Sequence, residues 1–310
     1  MALTLVEANK YSNTVLSKAV WDILIKDDPI LPRVKFDDLV GNSLTYDRYT
    51  TAATAAWRDV GDTITEDTPV ITQNTAQLRI LIGDADVDAF LARTRSNIID
   101  MEQEVIEQKT EAIKRTFLDS FIYGDNSANT KEPDGCQVLI ASTTYNTVHA
   151  GSGTGTALSI DKLRQAIDLI KGPKELMIVS SKAMRRRVST YLDSVGSAFP
   201  ADRDQFGRMI RFFEDIPWEV SDYILDTETA ASGAYAAKTG GANTSIFILN
   251  FANGGIRGLQ AGPLTVEKKM SLETKDANRF RLKWYASQYL PNLVSCAKVD
   301  GIVAASAVVA

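Results

Sequence analysis

Residues 86–123, DVDAFLARTRSNIIDMEQEVIEQKTEAIKRTFLDSFIY, form a long stretch of the chain without proline or glycine. Its apolar residues recur at spacings near three, four and seven: Leu91, Ile98, Met101, Val105, Ala112, Phe117 and Phe121. One apolar stripe with charges elsewhere predicts an amphipathic helix. The helix would begin near Asp84, Asp86 and Asp88, where negative charge favours an N-terminus, and would end at Gly124. We therefore expect a helix of about 35 residues, roughly 50 Å long, lying along a mixed domain.

The segment before this helix predicts a projecting hairpin. NSLTYDRYT (42–50) and AQLRILIG (76–83) carry strand signals, and a polar stretch with turn-forming residues and Trp57 lies between them. A two-stranded hairpin alone in water is marginally stable at best. We therefore expect this hairpin to lie on a neighbour.

The segment after the helix alternates between helical and strand patterns. SIDKLRQAIDLI (159–170) and SKAMRRRVSTYLDSVG (181–196) predict helices, and ELMIVSS (175–181) predicts a strand between them. Further strands are predicted in IPWEVSDYI (216–224), TSIFILNF (244–251), LTVEKKM (264–270), RFRLKWYASQYL (279–290) and LVSCAKVDGIV (293–303). Helices in the middle and strands in the last third indicate the α+β class.

Composition excludes several classes of protein. The formal net charge of -5 does not suit a protein that holds polyanions by charge. No apolar run approaches the roughly 18 residues of a membrane helix, and the first residues lack the features of a secretory signal. Cys136 and Cys296, the two cysteines, have no spacing typical of a disulfide framework or a metal site.

The stretch TVHAGSGTGTALSID (147–161) is the strongest candidate for enzyme chemistry. It contains the chain's one histidine, His149, and three glycines at alternate positions. A Walker loop needs Gly-Lys-Ser/Thr, which is missing here. A dinucleotide-binding fingerprint needs a further glycine at position 156, directly before a helix, and the chain has Thr156 there. We expect a loop, with Ser159 as the helix N-cap. A nucleotide-binding enzyme that uses residues 149–155 remains as an alternative, but we predict no catalytic, cofactor-binding or metal residue.

The order of these parts, with the residues that fill it, resembles the major capsid protein of tailed bacteriophages, the Hong Kong 97-like fold family. The likeness covers nearly the whole chain. It rests on LPRVKFDDLVGNSLTYDR (31–48), FIYGDNSANTKEPDGCQVL (121–139), KELMIVSSKAMRRRVSTYL (174–192), FFEDIPWEVSDYI (212–224), SIFILNFANGGIRGL (245–259) and RFRLKWYASQYLPNLVSCAKVDGI (279–302). Glu214 and Asp215 stand where a glycine is common in the family.

The resemblance implies a division of the chain into named parts. They are an N-terminal arm (1–41), an extended β-hairpin loop (42–85), a spine helix with the start of the peripheral domain (86–135), an axial domain (136–258), peripheral-domain strands (259–290) and a C-terminal strand that returns to the axial domain (291–310). We place the assembly interface on the extended loop and its base, at Trp57, Arg58, Asp62, Glu66 and Arg79.

The resemblance further implies a structural protein that is not an enzyme and has no cofactor. It would self-assemble into the hexamers and pentamers of an icosahedral shell around double-stranded DNA, bound without sequence specificity. The expected partners are a separate scaffolding protein, a portal and decoration proteins. Assembly would take place in the host bacterial cytoplasm, without a membrane, and the protein would end in the virion.

The sequence also indicates one alternative family, one departure from the capsid family and one basic run. An encapsulin, a compartment of the same fold around a cargo enzyme, is the nearest alternative. Some family members cross-link their shells through a lysine in the extended loop, but no lysine occurs here in residues 36–108. Arg185, Arg186 and Arg187 form the one dense basic run, and we expect a solvated helix face in preference to a phosphate clamp.

Overall fold

The computed structural model describes residues 28–51, 54–63, 66–89, 101–141, 145–151, 155–196, 201–203, 209–229, 236–269 and 276–309. The helices are α1 (Met101–Tyr123), α2 (Cys136–Leu139), α3 (Ile160–Asp168) and α4 (Lys182–Val195). The first strands are β1 (Phe36–Asp38), β2 (Ser43–Thr51), β3 (Val70–Gln77), β4 (Arg79–Asp88), β5 (Thr147–His149), β6 (Leu176–Ser180) and β7 (Ala201–Arg203). The later strands are β8 (Met209–Phe213), β9 (Ile216–Val220), β10 (Asn243–Asn250), β11 (Arg257–Gln260), β12 (Thr265–Lys269), β13 (Ala277–Tyr289) and β14 (Ala297–Val303).

A five-stranded sheet is organised around β13, whose 13 residues pair antiparallel with β4, β11 and β12. Alternate residues of β13 face opposite sides, as the period of two requires. Phe280, Leu282, Trp284 and Ala286 are buried against α1. The rings of Phe117 and Trp284 lie 4.5 Å apart, and Phe36 packs 5.4 Å from Trp284. This aromatic cluster joins the helix, the sheet and the chain segment before the hairpin.

The predicted start of the long helix is wrong. Asp84, Asp86 and Asp88 lie on β4, where Ala85 and Val87 point into the core. Asp84 and Asp86 bind arginines of β13, so their charge is balanced across a sheet and not by a helix terminus. Residues 90–100, with the predicted stripe residues Leu91 and Ile98, lie outside the described residues.

The predicted apolar stripe of α1 is confirmed at Phe117 and Phe121, which are buried, and at Val105, which packs against the core, but it is wrong at Ala112. Ala112 is exposed, whereas Ile106, Ile113, Phe117 and Phe121 are buried at spacings of seven, four and four. Positions 112 and 113 both fit a helical period, but the bulkier Ile113 packs beside Gly83 of β4. The side of α1 that buries the larger apolar area is therefore the side that packs against the sheet.

A seven-stranded sheet of order β5-β14-β10-β6-β9-β8-β7 forms a second body of structure, with α3 and α4 packed in its core. Every residue of β10 is buried. The Trp218 indole, fully buried on β9, donates a hydrogen bond of 2.7 Å to Ser180 Oγ. Mixed helices and sheets, with strands dominating the last third, confirm the predicted α+β class.

The turns and caps follow local chemistry. Ser159 Oγ accepts from Asp161 N at the start of α3, which confirms the predicted cap. Glu214 and Asp215 form the turn between β8 and β9 with positive φ angles of 49° and 63°. A two-residue hairpin turn with two positive φ values strongly favours glycine or asparagine, which explains why a glycine is common here in the family that the sequence resembles.

We expect Trp284→Ala to lower the free energy of unfolding by about 3–5 kcal/mol, because the side chain is 1% exposed and its loss leaves a cavity beneath α1. Tyr285→Ala is the matched control, since Tyr285 is the next residue of β13 and points to the outer face. That substitution should cost about 1 kcal/mol or less. Urea denaturation of unassembled subunits measures both, and equal costs would contradict the packing described here.

Candidate assembly surfaces

The β2–β3 hairpin is a sheet of its own. In the part of the chain that the structure describes, β2 and β3 pair with each other, from Ser43 with Gln77 to Thr51 with Val70, and with no third strand. Seven of the eight residues of β3 are not buried, and the exception is Ala76 near its end. Both faces of most of the hairpin are therefore open to contact.

The root of the hairpin is fixed to the body of the subunit. Arg48 on β2 donates through Nε and Nη2 to the carbonyl oxygen of Leu290, a residue that is fully buried, with an Nε–O distance of 3.0 Å. The Arg48 guanidinium also lies 5.3 Å from the centre of the Tyr46 ring and donates to the Tyr46 hydroxyl. Tyr46 in turn packs against Tyr289 of β13, with ring centres 5.4 Å apart.

The electrostatics of this root agree with its packing. Burial lowers the pKa of the Arg48 guanidinium and raises the pKa of the Tyr46 hydroxyl. Both shifts come from partial desolvation, which disfavours a charged side chain. The root therefore behaves as an interior contact, and it sets the direction in which the hairpin leaves the subunit.

The tip of the hairpin is held by its own hydrogen bonds. The Asp67 carboxylate accepts from Thr54 N at 3.0 Å and from Thr54 Oγ1 at 2.6 Å, and these bonds lower the pKa of Asp67. Asp59 N donates to the Asp62 carboxylate at 2.9 Å, and the turn that follows uses Gly61 with a φ of 99°. The tip is thus a defined surface and not only a length of connecting chain.

Two large apolar side chains stand out from this tip. Trp57 is 104% exposed and Val60 is 105% exposed, so neither contacts the described part of its own subunit to any useful extent. A fully solvated tryptophan forgoes the free energy that burial of 150–250 Å² of aromatic surface supplies. Apolar groups presented in this way on a polar rim are typical of interface anchors.

Four of the five predicted interface residues lie on this tip. Trp57, Arg58, Asp62 and Glu66 are all exposed, and Arg58 Nη1 donates to the Asp62 carbonyl oxygen at 3.2 Å. Arg79 lies elsewhere: it is half-buried on β4, and its guanidinium binds the Asn126 side chain within the same subunit. Arg79 therefore fixes β4 to the turn after α1.

The outer face of β4 and β13 is a second open surface, which sequence reasoning missed. Arg281 binds Asp84 through two hydrogen bonds of 2.6 Å, and Arg279 binds Asp86 at 2.6 and 2.8 Å. The pairing with Arg281 holds the pKa of Asp84 below its usual value. The signal was present as acids at 84 and 86 and bases at 279 and 281, but it becomes visible only when the two strands are aligned.

This outer face ends in an apolar patch. Ile80, Ile82 and Tyr285, three residues on adjacent strands, are 67%, 46% and 39% exposed. Ile80 lies directly opposite Tyr285 in the strand register. One face of the sheet therefore carries a ladder of paired charges and, next to it, an exposed apolar surface.

The glycine-rich stretch 147–161 takes part in the sheet. Thr147–His149 form β5, which pairs parallel with β14, and the His149 imidazole binds the buried Asp300 carboxylate. This partner of His149 was not visible in the sequence. A Cβ on Gly155 would lie 2.2 Å from Asn243 Oδ1, so this glycine permits close packing on β10. Gly153 lies outside the described residues.

The arginine run on α4 is divided between roles. Arg187 donates to the Ser306 carbonyl oxygen near the C-terminus, so its guanidinium is engaged within the subunit. Burial, with the nearby Arg211, lowers the pKa of Arg185. The run is therefore not the uniformly solvated face that we expected.

No helix within the described ranges is long and apolar enough to cross a membrane.

No protein-family model matches the sequence, and no curated protein is significantly similar to it. Solved structures match in fold. The holo-SrpI encapsulin complex from Synechococcus elongatus PCC 7942 gives a TM-score of 0.69 at 14% identity over 99% of this chain and 98% of that chain. The capsid of a native GTA particle gives 0.62 at 15% identity over 88% and 89%. A structure of Microbacterium phage Oxtober96 gives 0.58 at 13% identity over 88% and 90%.

These likenesses show that the chain has the Hong Kong 97-like fold, as the sequence resemblance implied. An encapsulin and phage structures both stand among the matches, and all are less than 20% identical to this chain. The common fold therefore does not separate a phage capsid protein from an encapsulin.

We expect Arg48→Met to loosen the hairpin root without unfolding the subunit. The change leaves the Leu290 carbonyl oxygen buried without its charged donors, a loss of about 1.5–3 kcal/mol. The backbone amides of β2 and β3 should then exchange with solvent roughly tenfold faster or more, by the usual relation between free energy and local opening. Arg58→Met at the exposed tip is the control and should leave that exchange unchanged. If both variants exchange alike, the root is not held by Arg48.

Proposed function

We propose that this chain is the major capsid protein of a tailed bacteriophage and assembles into the hexamers and pentamers of an icosahedral shell. The observation that carries the proposal is the β2–β3 hairpin, which leaves the body with Trp57 and Val60 exposed at its tip. These side chains gain burial when the hairpin lies on another subunit. A shell made of many copies offers every hairpin such a neighbour.

The charge distribution supports a shell that encloses DNA and does not bind it by sequence. A net charge of -5 gives little long-range attraction to phosphate. Of the one dense basic run, Arg187 already binds a carbonyl oxygen of its own chain. We propose that double-stranded DNA is retained by enclosure, and that a scaffolding protein, a portal and decoration proteins act with the shell during assembly in the host cytoplasm.

We further propose that the protein acts by assembly and turns over no substrate. The loop 149–155 lacks the lysine of a phosphate-binding loop, and its described glycines pack on neighbouring strands and side chains. His149 is used in a hydrogen bond to Asp300. ATP or NAD binding that is lost in His149→Ala would overturn this part of the proposal.

An encapsulin is the second candidate, and the match to the encapsulin complex over 99% of this chain favours it. The two functions differ in what the particle contains. Particles isolated from the native source and treated with nuclease and protease should protect double-stranded DNA if the chain is a phage capsid protein. A protected protein cargo without DNA would assign the chain to a compartment instead.

We expect the double variant Trp57→Ser/Val60→Ser to fold and to form no particles. Both side chains are fully exposed in the subunit, so its free energy of unfolding should change by about 0.5 kcal/mol or less. Val195→Ser is the control, because Val195 is exposed at the end of α4, away from the hairpin. Light scattering and negatively stained images give the readout, with scaffold present. Normal particles from the double variant would exclude the tip as an interface anchor.

We expect the subunits of the shell to be held together without covalent bonds, because residues 36–108 contain no lysine for a cross-link from the extended loop. Particles boiled in detergent should run as one band near the chain mass of 33.9 kDa. A ladder of higher bands would show that other residues join the subunits.

A further inference from the structure

A cluster of polar side chains is buried where α1 and α2 meet the seven-stranded sheet. Lys298 of β14 is fully buried, as is Gln137 of α2, and Glu228 is 1% exposed. The Lys298 Nζ atom donates to Gln137 Oε1 at 2.9 Å and to the Gln137 carbonyl oxygen at 3.2 Å. The amine thus contacts the oxygen of the Gln137 side-chain carbonyl, which is bonded to Cδ.

The Glu228 carboxyl is held beside this pair. Tyr123 donates to its Oε1 at 2.6 Å, and Ser245 Oγ donates to its Oε2 at 2.5 Å. Gln137 Nε2 donates to the same Ser245 oxygen at 3.1 Å. The Gln137 amide therefore has its oxygen toward the amine and its nitrogen toward the carboxyl group.

Burial shifts both ionisable partners toward their uncharged forms. Burial lowers the pKa of Lys298 to about 8 and raises the pKa of Glu228 to about 7. The two oxygens that accept from the Lys298 amine are neutral carbonyls, and the Asp300 carboxylate is 3.9 Å away and also binds His149. The two values differ by one unit, so about a tenth of the pairs carry the proton on the carboxyl group and not on the amine. In that form a neutral amine and a carboxylic acid lie on either side of the Gln137 amide.

We propose that Lys298 and Gln137 are joined by an isopeptide bond that forms within the folded subunit. Nζ attacks the Gln137 Cδ atom after the amide has rotated about its last single bond. The bond between Cδ and Nε2 breaks as the Glu228 carboxyl gives its proton to the departing nitrogen, and ammonia leaves. The proton released from Nζ returns to Glu228. An amine and a primary amide are converted to a secondary amide and ammonia, with no oxidant or other reactant.

A second lysine–glutamine contact in the same chain lacks these conditions. Lys162 Nζ donates to Gln165 Oε1 at 3.3 Å on the exposed side of α3. Water keeps that ammonium charged, and the next acid in contact with Gln165, Asp161, is also exposed. This pair should not react. Reaction depends on burial beside a held carboxylic acid and on the fixed approach of the two groups.

The bond would tie the segment after α1 to the last strand of the sheet. It closes a loop that runs from position 137 to position 298, about half of the chain, and a covalent loop of that size restricts the unfolded chain. The linked subunit should therefore melt at a higher temperature than a chain that cannot form the bond. The inference concerns the single subunit and does not depend on what the shell encloses.

The test is the intact mass of the denatured full-length chain after incubation between pH 7 and 8, the pKa values of Glu228 and Lys298. We expect a chain lighter by one ammonia molecule, and a branched peptide containing both Gln137 and Lys298 after digestion. Lys298→Arg and Glu228→Gln should keep the ammonia, and Lys162→Arg, the matched control, should lose it as the unaltered chain does.

The peptide map of the unaltered chain decides the matter even if a variant with a changed buried group does not fold. Separate linear peptides with Gln137 and Lys298 intact, at full chain mass, would overturn the proposal. Loss of ammonia that maps to another residue would overturn it as well. Loss that persists in Glu228→Gln would show that the carboxyl does not serve as the proton donor, and the proposed step would be wrong.

Discussion

The subunit depends on burying one face of β13. This strand pairs with β4, β11 and β12, and its inward residues supply the surface on which α1 rests. The rings of Phe117 and Phe36 both pack on Trp284 in this contact. The β2–β3 hairpin is attached to this unit. The hairpin root contacts Tyr289 and Leu290 at the end of β13, and β4 follows directly from the hairpin.

The sequence predicted those parts of the fold that repeat a pattern over many residues. Apolar residues repeat with a period of two in 279–290 and with a period of 3.6 in 101–123. The fold class and the later helices and strands could therefore be predicted. The strand at 84–88 could not be predicted. Acids before an apolar stripe are typical of a helix start, but they are equally typical of the outward face of a strand. What decides between the two is the arginines at 279 and 281, nearly 200 positions away.

The position of the hairpin was predictable from the sequence, but the contacts at its base were not. A polar excursion with one tryptophan indicated a projecting hairpin, and Trp57 is indeed exposed at its tip. The sequence placed Arg79 in the interface, because it does not show that the packing of α1 brings Asn126 to the Arg79 guanidinium. The apolar patch of Ile80, Ile82 and Tyr285 could not be predicted either, because the pairing of β4 with β13 brings these residues together. Single strands show which side chains share a face, but only the sheet shows which of them meet.

A fold can persist at 14% identity because its requirements are set by pattern and not by particular residues. Many sequences place apolar groups at alternate positions of a strand like β13, and any of them can cover a helix. The cluster of Lys298, Gln137 and Glu228 is different in kind. It depends on the chemistry of three side chains and on distances near 3 Å, so exchanging any one of them removes it while the sheet remains. A similar fold therefore does not indicate that another protein has this cluster. The role of the cluster has to be inferred from the side chains of this protein.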